Sequence, residues 1–550
     1  MAISKKKRAG MKTLVPAALA LCFTLFIFAP LEQYMLNQSD LWFSLWGILP
    51  QALLTFALCM GVLCLLGLLL PVKACRTLSA VLISLALCFY LQGNFLNADY
   101  GELDGRAIDW SAYTLYSVFD TLFWVVIPAA IIFFAVKKRK LFHKCTRFVA
   151  LVMVFIQLVT LSTVFLTRPV DDKSLDWIVS EKDLFTMGAE ENTVVFVVDA
   201  CDLTYIPEIL SVDPEAMASF DGFTHFTDYA GSYSKTKMGL LYLLTNTWYE
   251  NDETVKHFIN RAYDDVALYD TLLENDWNVR LYTSNTYVSK SMLGRASNII
   301  EANLIVGSPV GLWEKMLEFV SFRYMPHALK PAFTFYSGEF GAYKASDKGY
   351  APYRKGNSTV IEKYNQLGLT VSEEYQKSFT VYHLNGSHLP CSMDAYGNEV
   401  GRWNATALEQ TRGVFRFLGR VFDDMKAQGL YDNTNIIVTA DHGRFDEGPV
   451  SPILLIKPAG SRGEMMQNAA MAHVSDLHAT ILSLCNLPYE GTSVFDLDES
   501  EERTRRYLYY PTTKDNGGTL PLLTEYNVGR GQQFTETGVV LPGGADAIKN

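Results

Sequence analysis

The 550-residue chain holds nine cysteines, and six of them fall within its first 167 positions. Cys201, Cys391 and Cys485 are all that the other 383 residues have, too few for a disulfide framework. A single Cys201–Cys391 bridge and three buried thiols both fit that number. Charge is sparse at 19 % of residues, and positive charge is short beyond residue 167, where 33 Lys and Arg face 51 Asp and Glu, a net of −18. That balance excludes a nucleic-acid binder and points to work through bound cations. There is no internal repeat and no low-complexity tract. Gly529 and Gly531 form a lone G-x-G outside a strand-to-helix context, which is no nucleotide fingerprint. No small-residue cleavage pattern follows the first apolar run, which argues against a cleaved signal peptide.

What the chain has in excess is apolar side chain, 49 % overall, which rules out a disordered chain. The apolar residues crowd into five runs, at 14–30, 48–70, 78–96, 118–136 and 148–166, each near the ~20 residues that a helix needs to span hydrocarbon. Basic residues cluster at Lys5 to Lys12, at Lys73 and Arg76, and from Lys137 to Arg147. The two other loops carry acids instead, Glu32 and Asp40 in one, Asp99, Glu102, Asp104 and Asp109 in the other. The positive-inside rule therefore puts everything after the fifth span outside the cytoplasm, in a multi-pass cell-membrane protein.

Residues 168–191, polar and charged with one apolar patch at 175–179, read as a juxtamembrane connector lying on or near the bilayer surface. Beyond it, short unbroken β-branched runs at 193–198, 279–282, 378–384, 435–439 and 452–456 alternate with helical patterns at 237–244, 265–274, 405–428 and 474–484. This alternation predicts an α/β domain over 192–504, with a mostly parallel sheet and helices on both faces. Residues 505–550 alternate Tyr, Leu and Val between Asn-Gly-Gly and Pro-Gly-Gly turns, and read as a small antiparallel sheet. The expected domains are thus 1–167, 168–191, 192–504 and 505–550.

Ligands of such a sheet gather beyond the carboxyl ends of its strands. Three strands end in metal-ligand chemistry: TVVFVV runs into Asp199, FTVYHL into Asn385, Gly386, Ser387 and His388, and NIIVTA into Asp441 and His442. Two carboxylates and an imidazole suit one divalent cation, manganese or zinc. The plainer alternative for each Asp is a helix N-cap. The loop 231–239, GSYSKTKMG, leads into an apolar helix with Thr236 just ahead of it. Its hydroxyl is either an ordinary cap or a nucleophile at a helix N-terminus, with Ser232 and Ser234 as competing hydroxyls. His478 reads as a core histidine, and Asp202 as a supporting or capping residue.

The five-span amino portion, VVDA, SKTKMG, NGSHLP and TADHG together resemble the lipoteichoic acid synthases and lipid phosphoethanolamine transferases. These are sulfatase-like members of the alkaline phosphatase superfamily. The resemblance implies an alkaline-phosphatase-like fold. It also implies metal-dependent transfer of a phosphoryl-linked head group from a membrane phospholipid to an envelope polymer or glycolipid acceptor. By that likeness Asp199, Thr236, Asp441 and His442 hold the metal, Thr236 is transiently phosphorylated, and His388 contacts the phosphoryl or head group. His473 is a second substrate-binding candidate, or a replacement ligand for a second metal, against a surface or capping histidine. The chain lacks the Cys/Ser-x-Pro-x-Arg string of true sulfatases and the histidine before Pro452, where Val450 and Ser451 stand. Both departures disfavour sulfate-ester hydrolysis and the phosphoethanolamine type, and leave a second metal open. A membrane-anchored phosphodiesterase or phosphatase, and a non-catalytic envelope scaffold, are the alternatives.

Overall fold

The structure is a computed structural model that describes residues 5–101, 103–444, 448–512, 518–544 and 548. The chain divides into two compact units. One is Met1–Leu175 with Leu304–Ser346, the other Asp176–Asn303 with Asp347–Asn550.

Among the described residues of the first unit, five helices are long and apolar enough to cross a membrane: Gly10–Leu36, Leu45–Leu69, Val72–Phe95, Trp110–Lys137 and Arg139–Thr167. They are the five expected spans, lengthened because helical hydrogen bonding continues past the apolar run into its polar flanks. Leu53, Leu54, Leu58 and Val62 on the second span are exposed, as a lipid-facing surface requires.

Residues 304–346 read from sequence as part of the outer domain, but cluster with the membrane helices. Trp313, Met316 and Phe340 join Phe28, Tyr34 and Phe43 in one apolar core, and Trp42 Nε1 donates to the Phe340 carbonyl at 2.7 Å. The same segment partners two buried acids of the spans. Tyr324 donates to Glu32 Oε2 at 2.7 Å, and the His327 amide to Asp120 Oδ2 at 2.7 Å. A lone carboxylate within a span costs on the order of 3 kcal/mol, which these bonds offset.

The second unit is built on a seven-stranded sheet. In chain order its strands are β1 (Glu191–Val198), β2 (Thr224–Phe226), β3 (Trp277–Tyr282), β4 (Lys377–Leu384), β5 (Thr434–Thr439), β6 (Leu454–Lys457) and β7 (Met466–Asn468). Across the sheet the order is β7-β2-β6-β5-β1-β4-β3. Only β6 runs against the others. The helices that matter for the site are α1 (Thr236–Thr245), α2 (Ala407–Ala427) and α3 (Leu477–Leu484). A three-stranded antiparallel sheet, β8 (Arg506–Tyr509), β9 (Leu522–Gly529) and β10 (Gln533–Pro542), closes the chain.

Register positions the site. Val198 lies opposite Leu384, and Val197 opposite Thr439, so the residues just past β1, β4 and β5 leave the sheet at one edge. The connector's apolar patch forms a buried strand. Trp177–Val179 pairs antiparallel with Ile299–Glu301, and Ile178 and Val179 are fully buried. Cys201, Cys391 and Cys485 are buried free thiols, so the single bridge does not form.

Candidate active site

Asp199, Asp441 and His442 come together as the register requires: one ligand atom from each lies within 4.8 Å of the others, and all three residues are buried. Neither aspartate caps a helix. Asp199 directly follows β1 and is itself followed by Ala200 at a φ of +59°, a left-handed conformation that costs a non-glycine residue energy and turns the chain sharply at the sheet edge. Asp441 Oδ1 accepts the Ala200 amide at 3.1 Å, which ties the β5 end to that turn. His442 Nδ1 donates to the Gly443 carbonyl at 2.5 Å, and Nε2 therefore presents its lone pair to the cluster. That nitrogen is 3.5 Å from Asp199 Oδ1 and 3.6 Å from Asp441 Oδ2.

Thr236 is the first residue of α1, not its cap; the cap position is Lys235, whose side chain makes no capping bond. The Thr236 hydroxyl points the other way, 3.1 Å from His442 Nε2 and 3.3 Å from Asp199 Oδ1. Ser234, a competing hydroxyl, is engaged with the backbone of Tyr510 at 2.9 Å. Two glycines permit this approach. A Cβ on Gly239 would lie 2.2 Å from the Asp441 carbonyl oxygen, and one on Gly386, at φ +57°, 2.4 Å from the Asp199 amide nitrogen. Helix α1 and the turn after β4 can reach the site only without those side chains.

Two groups that sequence reasoning missed complete the electrostatics. The Lys355 ammonium forms an ion pair with Asp199 Oδ2. His383, buried near the end of β4, holds Thr283 Oγ1 at 2.9 Å through Nδ1 and points Nε2 to within 3.4 Å of Asp199 Oδ2. Burial alone would raise the Asp199 carboxyl. Lys355, with His383 and His388, outweighs it and holds that carboxyl well below the usual carboxylate range. Burial opposes the Lys355 charge, and Asp199 more than compensates, so its ammonium is favoured. Lys355 lies in an aromatic, glycine-rich stretch with no motif, whereas the signal that could have found His383 is its place near the end of the strand that leads to NGSHLP.

His388 is not part of the three-residue group. It lines the cavity of about 590 Å³ onto which Thr236, Lys235, Lys237 and Tyr287 also open. Its Nδ1 faces the Leu389 carbonyl, and burial first of all pushes its pKa below the ordinary histidine value. His473 is brought neither to the cluster nor to that cavity. Its Nδ1 meets Ser475 Oγ at 2.7 Å and caps the turn before α3, and its Nε2 donates to the Arg506 carbonyl of β8 at 3.0 Å, so both nitrogens are engaged. His478 bonds the Leu243 carbonyl at 3.0 Å, as a core histidine does. Asp202 accepts Thr204 and Arg444 amides and is a local supporting residue.

The donor set fits a divalent cation. Among the described residues Asp441 Oδ2 is buried with no hydrogen-bond partner, and His442 turns its lone pair toward that oxygen and toward Asp199. A buried carboxylate oxygen left without a donor is costly unless a cation completes it. The identity of the metal is not set by these atoms, because oxygen and imidazole donors serve both manganese and zinc.

Residues 318–450 match the family model for type I phosphodiesterase / nucleotide pyrophosphatase. No curated protein matches the chain. Among solved structures, a protein in the alkaline phosphatase superfamily from Vibrio parahaemolyticus matches at 14 % identity over 65 % of this chain and 83 % of that one, with a TM-score of 0.35. The phosphonate monoester hydrolase of Silicibacter pomeroyi matches at 13 % identity over 63 % and 88 %, TM-score 0.37. A lipoteichoic acid synthase from Listeria monocytogenes matches at 11 % identity over 67 % and 91 %, TM-score 0.34. The chain thus carries a segment that matches a phosphodiesterase family model, and its structural neighbours include members of the alkaline phosphatase superfamily.

Proposed function

We propose that this protein transfers a phosphoryl-linked head group from a membrane phospholipid, of which phosphatidylglycerol is the favoured donor, to an envelope polymer or glycolipid acceptor. The observation that carries the reading is the Thr236 hydroxyl, buried at the start of α1 and held within 3.3 Å of both Asp199 and His442.

Asp199, Asp441 and His442 would hold the cation, with Thr236 beside them. A divalent ion bound there supplies Lewis-acid charge, which favours loss of a hydroxyl proton and offsets negative charge on a phosphoryl group. In the first step the Thr236 oxygen bonds to phosphorus and the bond to the lipid alcohol breaks, that oxygen leaving with a proton. In the second, an acceptor hydroxyl bonds to phosphorus and the Thr236 oxygen departs. The N-terminus of α1 places positive partial charge where the phosphoryl oxygens gather. Neutral His388, with Nδ1 on the Leu389 carbonyl, has Nε2 as its basic nitrogen and takes the proton of the incoming hydroxyl. Lys355 adds a second positive charge beside Asp199, which supports a single cation rather than a pair.

The membrane helices support a lipid donor, since they keep a slow-diffusing substrate and the enzyme in one plane. The test is incubation of the full chain with head-group-labelled phosphatidylglycerol or phosphatidylethanolamine, an acceptor fraction, and manganese or zinc. Transfer predicts label on the acceptor and transient label on Thr236. Label released only as free phosphate ester would make the protein a hydrolase. Wild-type turnover in Thr236→Ala would remove the nucleophile assignment.

A further inference from the structure

Asp199 has two carboxylate oxygens, and the chemistry above uses one. Oδ1 faces Thr236 at 3.3 Å and His442 Nε2 at 3.5 Å. Oδ2 has a different pair of neighbours, the Lys355 ammonium and His383 Nε2, the latter at 3.4 Å. His383 is fully buried, and among the described residues its Nε2 has no hydrogen-bond partner. The separation from Oδ2 is longer than the roughly 2.7–3.2 Å of a good N–H···O bond. The other ring nitrogen, Nδ1, is engaged with Thr283 Oγ1 at 2.9 Å. A hydroxyl that accepts the Nδ1 proton leaves the Nε2 lone pair aimed at a carboxylate oxygen. That is how a metal-bound imidazole is held from behind.

The span between the two atoms agrees. An ion with bonds of about 2.1 Å to both Oδ2 and Nε2, which lie 3.4 Å apart, would hold them at about 110°, near a tetrahedral angle. The pair on the other oxygen, Oδ1 with His442 Nε2, has almost the same span at 3.5 Å. Asp199 therefore offers one oxygen to each of two similar half-sites, as a bridging carboxylate does in a two-metal centre. What stands at the second is Lys355. Its carbonyl accepts the Asn385 amide at 2.7 Å, which clamps the residue to the turn after β4. Its side chain is 26 % exposed, so loss of the amine opens the position to solvent. From these observations we infer that the Lys355 ammonium fills a second cation position, for which Asp199 Oδ2 and His383 Nε2 are the unused metal ligands. The inference rests on the reading of Asp199, Asp441 and His442 as the first cation site. It makes the second positive charge part of the chain itself, independent of metal supply.

Manganese binding by the full-length chain in detergent, first stripped with chelator and then followed by calorimetry and electron paramagnetic resonance, tests it. Wild type should take one ion per chain, with the resolved hyperfine signal of an isolated manganese. Lys355→Ala should take two, and its signal should broaden through coupling between ions that share Asp199. The double variant Lys355→Ala with His383→Phe should return to one. Should Lys355→Ala fold poorly, Lys355→Glu puts a third ligand in the same place, and two ions per chain are expected there as well. One ion per chain in both Lys355 variants would overturn the inference. So would a second ion that survives the loss of His383, because it would then be an adventitious ion only. No ion in wild type but one in Lys355→Ala, lost with His383, would sink the first site and leave this one standing. No ion in any of these proteins would overturn both.

Discussion

Replacing Lys355 by methionine separates a structural ion pair from a metal site. Asp199 is fully buried, and its strongest partner is the Lys355 ammonium, whose side chain is 26 % exposed. At an effective dielectric near 20, a contact ion pair is worth roughly 5 kcal/mol before desolvation, and the partial exposure of Lys355 reduces the net cost of breaking it to about 3 kcal/mol. In a unit of this size that is a fall in the thermal midpoint of about 4 °C. The midpoint should fall by that amount in chelator. A divalent cation at about 100 times its dissociation constant stabilises the wild type by about 2.7 kcal/mol. In Lys355→Met the same ion no longer shares Asp199 with an ammonium, so the gain is larger and most of the deficit closes. The assay is unfolding of the full-length protein in detergent, followed by tryptophan fluorescence with manganese, with zinc and with chelator. An equal deficit in all three conditions would refute the reasoning, because Lys355 would then be structural and the carboxylates would not hold an ion.

Further outcomes follow from the same geometry. Gly239→Ala places a methyl group 2.2 Å from the Asp441 carbonyl oxygen, and should cost about 1–3 kcal/mol while pushing α1 away from the cluster. Weakened manganese affinity, read by calorimetry, checks the second effect, and unchanged affinity would contradict it. Burial holds His225 and His473 neutral, each with its pKa pulled from 6.5 to about 4. Their stability is fully present above pH 6.5 and is lost as the pH falls toward 4, by up to about 3 kcal/mol each, since only the unfolded chain takes the proton in that window. Asp213, held at about 2 chiefly by its bond to Arg416, contributes its loss only below the ordinary aspartate range and so does not enter midpoints measured between pH 7 and 4.5. A flat profile there would be inconsistent with two neutral buried imidazoles. Finally, a cysteine placed at exposed Thr535 on β10 should react with a membrane-impermeant maleimide in intact cells. Labelling only after lysis would reverse the assigned sidedness.

The parts of this molecule that were readable in advance are those where one physical demand governs a whole stretch of residues. Unbroken β-branched runs such as TVVFVV become central strands because both faces are buried, and the five apolar runs become helices because lipid offers the backbone no other partner. Asp199, Asp441 and His442 were legible because they directly follow such strands. Thr236 was half legible: its place at the helix start was evident, but a cap and a first helical residue differ by one position, and only the backbone at Lys235 separates them. His473 could have been either capping residue or ligand, and Ser475 with the Arg506 carbonyl decides the case. Lys355 left no local trace, because its partner lies 156 residues away in sequence. The clustering of 304–346 with the first unit left no local trace for a similar reason. Its aromatic residues mark a buried segment without saying which apolar surface receives them.

That last segment has a practical consequence. The polypeptide passes from one unit to the other three times, after Leu175, after Asn303 and after Ser346. A truncation that simply deletes the amino-terminal third would therefore strand Trp313, Met316 and Phe340 in water, together with an amine at Lys330 that had been wrapped in carbonyls. Such a fragment should be sticky and poorly soluble however well its remaining sheet folds. A soluble form calls for two cuts instead of one, with a short polar bridge from Asn303 to Asp347. The Asn303 amide already donates to Asp347 Oδ1 at 2.9 Å, so the two ends to be joined are neighbours before any engineering begins.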